Sequence, residues 1–230
     1  MLHMQRTAVS ERRRGQPMRG QAKVFLGSAL LSLLLVAGVS PYLVPLSENF
    51  HAVIPGCVYR SGQLCSESLQ QHALHDGIRS VINLRGPNPG QPWYDQEWAV
   101  ARQRELEFYD LPVDSQCPTP LELGQLLQVL EHCSKPVLIH CQSGIDRSGM
   151  VAAICILLLD ETGSLEQARR QLGWRYGHLP WRENMGVQEG FLQDYSNWLA
   201  EHQQTHERSH FHDWLLLFAE QGEARTAPAP

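Results

Sequence analysis

Between residues 50 and 203, short apolar runs of extended character alternate with longer stretches whose apolar positions recur at helical spacing. The first extended pair lies in "FHAVIPGCVYRSGQL", where Pro55-Gly56 marks a turn between two segments. "RSVINLR", "EFYDLPV" and "KPVLIH" follow as three further strands. Between them lie three predicted helices. One runs from Glu67 to His75, capped by Ser66 and closed by Asp76-Gly77. The second covers Trp93 to Leu106, with Trp93, Trp98 and Ala101 toward one face. The third covers Leu121 to His132, with Leu123, Leu126, Leu127 and Leu130 spaced for burial. After residue 148 the pattern is helical at 148–161, 164–172 and 184–203. Strands alternating with helices in this order predict an α/β fold, with a central, largely parallel sheet flanked by helices.

Two segments fall outside that pattern. Residues 24 to 46, "VFLGSALLSLLLVAGVSPYLVPL", carry no charge, and such a run can cross a bilayer core of about 30 Å as a helix. Pro41 and Pro45 end the regular helix early. Arg6, Arg12, Arg13, Arg14, Arg19 and Lys23 precede it, against Glu11 alone. That flank suits a transmembrane anchor or a signal sequence, and no small-x-small cleavage site follows. Positive charges stay in the cytoplasm, so everything past residue 46 is expected to be exported, in a bacterium to the periplasmic side of the inner membrane. At the other end, Trp214, Leu215, Leu216, Leu217 and Phe218 form an apolar cluster expected to dock on the domain or touch the membrane. The predicted organisation is a basic segment at 1–23, an apolar one at 24–46, one folded domain at 47–203, and an amphipathic segment with a disordered tail at 204–230.

Charge narrows the function. The chain carries −5 overall, but with the basic flank set aside 13 basic residues face 23 acidic ones. An acidic body excludes a general nucleic-acid binder, which needs a basic face for phosphates. Six cysteines without a CxxC pair fit neither a disulfide scaffold nor a zinc module. His202, His206 and His210 have a helical i, i+4 spacing that can hold a metal, although exposed histidines on a polar helix are the commoner case.

"VLIHCQSGIDRSGMVAAICILLL", residues 137 to 159, carries the chemistry. A buried strand ends at His140 and Cys141, a loop containing Gly144 follows, and Arg147 and Ser148 open an apolar helix. In open α/β sheets that position is where ligands sit. A helix N-terminus offers unpaired N–H groups, a glycine lets successive amides converge, and an arginine fork can hold two phosphate oxygens. Positive surroundings favour the thiolate. Gln142, Ser143, Gly144, Ile145, Asp146 and Arg147 therefore form a candidate phosphate cradle around a Cys141 nucleophile.

"HCQSGIDRSG" resembles the signature loop, His-Cys-x5-Arg-Ser/Thr, of the cysteine-dependent protein tyrosine and dual-specificity phosphatases. "VYRSGQL" (58–64) and "VINLR" (81–85) are similar to two further motifs of a compact bacterial, plant and fungal dual-specificity subgroup, and the chain resembles membrane-anchored, periplasmic bacterial tyrosine phosphatases. The resemblance covers about 50 to 200. It implies hydrolysis of phosphomonoesters through a phosphocysteine, without metal or cofactor. Arg147 and the loop amides would hold the phosphate, Ser148 would steady the departing thiolate, and His140 would orient the loop. It also implies a general acid 25 to 35 residues before the cysteine. Asp114, which opens the loop "DSQCPTP", suits this better than Asp110, although both qualify. Basic residues are missing from the interior of the cradle, which points away from highly anionic substrates. A phosphotyrosine or phosphoserine/threonine protein is the expected substrate, with a phosphorylated lipid or glycan as the alternative. A non-catalytic phosphate-binding module and a sulfur transferase are the rival readings. Arg85, at a strand end, either faces the site or joins a structural ion pair. Tyr59 reads as core, and "WRYGHLPW" (174–181) as a substrate-side loop or packing between helices.

Overall fold

The computed structural model describes residues 48–114, 118–178 and 185–226, in which five strands form one sheet. The strands are β1 (His51–Ile54), β2 (Val58–Ser61), β3 (Ser80–Asn83), β4 (Glu107–Asp110) and β5 (Val137–His140), in the order β1-β2-β5-β3-β4. β1 pairs antiparallel with β2, and every other pairing is parallel. Around the sheet lie α1 (Ser66–His75), α2 (Pro92–Gln103), α3 (Pro120–His132), α4 (Asp146–Leu159), α5 (Leu165–Arg170), α6 (Met185–Glu201) and α7 (Arg208–Thr226). The expected α/β fold with a mostly parallel sheet is therefore present. The apolar segment 24–46 lies outside the described residues, among which no helix is long and apolar enough to cross a membrane.

Alternation along the strands divides the interior into two cores. Val58, Ile82, Val137 and Ile139 face the larger one, shared with α3, α4, α6 and α7. Val81 and Leu138 face the smaller one, with Leu69 of α1 and Val100 of α2. Leu123, Leu126, Leu127 and Leu130 of α3 are all buried as their spacing predicts, each contributing about 1.5–3 kcal/mol. α3 starts on a capping box, in which the Thr119 hydroxyl accepts from the Glu122 amide and the Glu122 carboxylate accepts from the Thr119 amide. α4 is apolar nearly all round and buried through most of its length.

Three expectations need correction. Ser66 is the first residue of α1 rather than its cap, a position Cys65 occupies without a side-chain capping bond. Trp98 faces solvent, with 45% of its surface exposed, and the Arg102 guanidinium lies over its ring. The inward face of α2 is formed by Glu97, Val100 and Ala101. The third concerns the histidines. α6 stops at Glu201 and α7 begins at Arg208, so His202, His206 and His210 do not share one helical face. α7 packs on α3 and α4, burying Phe211, Trp214 and Leu215, and its Trp214 ring meets Phe191 and Tyr195 of α6.

Parallel pairing brings four strand ends to one level: Ser61 beside His140, His140 beside Asn83, and Asn83 beside Asp110. The strand bodies are largely apolar, whereas this terminal row is polar throughout. The loop between β5 and α4 leaves from its centre.

Candidate active site

Cys141 follows β5 and is 2% exposed, so it lies at the floor of the loop. The Gly144 amide donates to its Sγ at 3.3 Å. Gly144 has φ +71°, and a Cβ there would lie 2.5 Å from the Gly62 nitrogen and 2.6 Å from the Ser61 carbonyl carbon. Both the conformation and the close approach require glycine.

The loop's carbonyls are held from behind. Asn49 Nδ2 donates to Ser143 O (3.2 Å) and Gly144 O (3.1 Å). Arg60 Nη2 donates to Gly144 O (2.7 Å) and Ile145 O (3.1 Å), and the Gln63 amide donates to Gln142 O (3.1 Å). In a planar trans peptide C=O and N–H point opposite ways, so drawing the carbonyls back turns the amides toward the nucleophile.

Both clamps are themselves fixed. Asn49 also donates to Tyr176 O at 3.1 Å, and its Oδ1 lies 3.0 Å from His51 Nε2. Burial, then Arg60 and Arg175, hold the His51 pKa below 6.5. A neutral ring with its proton on Nε2 donates to Asn49 and sets which way that amide points. Arg60 is fully buried; its Nη1 donates to the Gln171 carbonyl (2.7 Å) and side chain (3.1 Å), and Tyr176 lies under its guanidinium at 4.2 Å. Burial lowers its pKa to about 10, which leaves it charged at neutral pH. Among the described residues no carboxylate is in ion-pair contact with it. An uncompensated buried cation is costly, so an anion in the loop in front of it is favoured.

The remaining predicted residues surround this core. Arg147 Nη1 donates to Leu84 O at 3.1 Å, which sets its guanidinium beside the end of β3. The Ser148 hydroxyl, fully buried, donates to Ser61 O at 3.2 Å, and thus ties α4 to β2. His140 sits behind the loop with Nε2 3.0 Å from Glu97 Oε1, an ion-pair contact not aligned as a hydrogen bond. Asp146 similarly approaches His178 at 3.2 Å. The segment 174–178 accordingly packs behind the loop, through Tyr176 and His178, while Trp174 is exposed. Residues 179–181 lie outside the described part.

Asp110 and Asp114 differ in their surroundings. Asp110 accepts from Asn83 Nδ2 (2.8 Å) through one oxygen and from the Tyr94 hydroxyl through the other. Burial and that bond push the Tyr94 pKa up to about 12. Both Asp110 oxygens are thus engaged. Asp114 is exposed, where the chain leaves β4 and Val113 for the loop.

Sequence reading did not assign Asn49, Arg60, Glu97 or Gln171 to the site, and it named Tyr176 only within the segment 174–181. Arg60 left a signal, because a charged residue in the apolar strand "VYRS" needs buried partners. Asn49, in "ENFH", left none. The expected ion pair of Arg85 is not what the described residues contain: its guanidinium bonds Gln63 and stacks on Trp93.

Similarity to known proteins agrees with this geometry. The core catalytic domain of the PP-IP phosphatase SIW14 from S. cerevisiae aligns at a TM-score of 0.51 and 19% identity, covering 68% of this chain and 93% of that one. TpbA of P. aeruginosa, solved in complex with pTyr, aligns at 0.50 and 18% identity, covering 65% and 85%. A beta-lactamase hydrolase-like protein of Agrobacterium fabrum is 31% identical over 70 residues, 30% of this chain but only 16% of that protein. A family model described as PTP-NADK, DSP-PTPase phosphatase fused to NAD+ kinase, matches residues 52–174. Since that match takes in the signature loop and more than half of the 230 residues, the chain belongs to this DSP-PTPase family.

Proposed function

We propose that the protein hydrolyses phosphotyrosine in proteins, with Cys141 as nucleophile, Arg147 and the loop amides as phosphate ligands, and Asp114 as general acid. The Cys141 thiolate attacks phosphorus in line; the S–P bond forms as the P–O bond to tyrosine breaks, and Asp114 gives its proton to the leaving oxygen. Asp114 then takes a proton from water, which attacks phosphorus and releases phosphate and the thiolate. Ser148 lies one residue past Arg147; its hydroxyl donates to Ser61 O in the structure and would have to turn from that carbonyl to steady the departing thiolate. The amides of 142–147 act as fixed dipoles for the equatorial oxygens.

One observation carries this reading: a Gly144 amide aimed at Cys141 Sγ, in a loop whose carbonyls are drawn the other way. The recessed sulfur supports an aryl ester, because a tyrosine ring carries its phosphate farther from the backbone than a serine methylene does. Asp114 is preferred as acid because it is exposed and opens the loop that follows β4, the position the family resemblance implies, whereas Asp110 lies in the strand-end row. A phosphorylated lipid is the second reading, supported by the apolar run at 24–46.

The test is turnover of an aryl phosphate and of a phosphotyrosine peptide by the full-length protein with reductant. Cys141→Ser is expected to abolish both. Asp114→Asn should lower peptide turnover about 100-fold and the better-leaving aryl phosphate less, with Asp110→Asn milder on the peptide. A reversed order of the two aspartates would move the acid to Asp110, and turnover surviving in Cys141→Ser would overturn the mechanism.

A further inference from the structure

Arg85 is a cation near the loop that the reaction above does not use. It directly follows Leu84, whose carbonyl accepts from Arg147. Its own amide donates to Asn83 Oδ1 at 3.0 Å, and Gly86 behind it has φ +74°. That turn sets the direction of the side chain. Nη1 donates to Gln63 Oε1 at 2.9 Å, and the guanidinium lies 3.4 Å from the centre of the Trp93 ring. Gln63 is stitched to the cradle through its amide on Gln142 O.

The group is thus held at both its edge and its face, beside the phosphate loop. Among the described residues it has no carboxylate partner. A guanidinium carries five N–H donors, and the bond to Gln63 engages one. Burial first, and then Arg147, lower its pKa, consistent with a cation that nothing nearby neutralises fully. Arg147 belongs to the scissile phosphate, so Arg85 is available to a second anionic group.

The charge count decides which kind. One additional guanidinium balances one negative charge. A polyphosphate would need several cations, whereas the described residues bring Arg85 to the side of Arg147 at the end of β3. A single carboxylate next to the scissile phosphate matches what is present. A planar fork held flat by an aromatic face is suited to a carboxylate approaching edge-on.

We propose that Arg85 is a specificity-determining residue that pairs with a carboxylate beside the phosphotyrosine, so that the enzyme selects phosphotyrosines flanked by acidic residues. This rests on the phosphoprotein reading above. The test compares two phosphotyrosine peptides that differ only in Glu or Gln at the flanking positions, with an aryl phosphate as reference. For the wild-type full-length protein, kcat/KM for the Glu peptide should exceed that for the Gln peptide by about 3- to 10-fold, mostly through KM. Arg85→Gln should bring the ratio to about one, and Arg85→Lys should restore part of it.

A ratio of one in the wild type, or one unchanged in Arg85→Gln, overturns the assignment. So does an equal loss on the aryl phosphate and both peptides, which would mean that Arg85 acts through Arg147 or the fold. A small bisphosphate whose turnover depends on Arg85 more than the Glu peptide does would overturn the carboxylate. Wild type that cleaves the aryl phosphate and neither peptide would instead sink the phosphoprotein reading itself.

Discussion

Asn49 shows how much of this site depends on a residue that never meets the substrate. Its amide donates to three carbonyls, two of them in the phosphate loop. Asn49→Asp keeps the shape and replaces those donors with acceptors, which sets oxygen against oxygen. Turnover of an aryl phosphate should fall about 100-fold while the melting transition stays cooperative. Wild-type kcat in that variant would refute the clamp. The residues proposed to hold phosphate were legible in the sequence because their chemistry is compressed into seven consecutive positions, Cys141 to Arg147. The residues that shape the loop were not, because Asn49, Arg60, Gln171 and Tyr176 come from four separate places and only the fold brings them together. The loop's interior is poor in basic residues, as read from the sequence, while Arg60 lies behind the loop and Arg85 beside it.

At the level of elements, periodicity carried most of the information. The five strands and the leucine face of α3 follow directly from apolar spacing; burial confirms α3, β2, β3 and β5, while β1 and β4, at the sheet edges, are only partly covered. Trp98 fails for a physical reason: Glu97, one position earlier, turns inward toward His140, and the tryptophan one residue on is rotated to solvent. The break between α6 and α7 falls near the boundary at 203–204 read from the sequence, and it separates the histidines whose spacing alone would continue a helix. That junction contains a titrating contact. His206 Nδ1 lies 2.9 Å from the Tyr195 hydroxyl, and burial, then His210, lower its pKa below 6.5 despite an opposing Glu207. The unfolded chain therefore binds a proton here near pH 6.5, whereas the folded one resists it to a lower pH. Stability contributed by this histidine is lost as pH falls below 6.5. The melting temperature should be lower at pH 5.5 than at pH 7.5, and His206→Gln should narrow the gap. An unchanged gap would assign the acid sensitivity elsewhere, with His51 as the next candidate.

For the whole molecule, the proposed topology follows from the basic flank and the uncharged run before the folded part. A tag fused after Pro230 should be cut by protease added to osmotically opened bacterial cells with the inner membrane intact. Protection under those conditions would place the domain on the cytoplasmic side. The clamp has a consequence for the order in which the chain becomes active. A ribosome delivers Asn49, Arg60, Cys141 and Arg147 before it delivers Gln171, which anchors Arg60, and Tyr176, which receives Asn49. A nascent chain ending near Arg147 holds the reactive groups but lacks the far ends of both bolts. Hydrolysis should therefore begin only once synthesis has passed Tyr176, so that the first turnover reports a loop whose two bolts are seated.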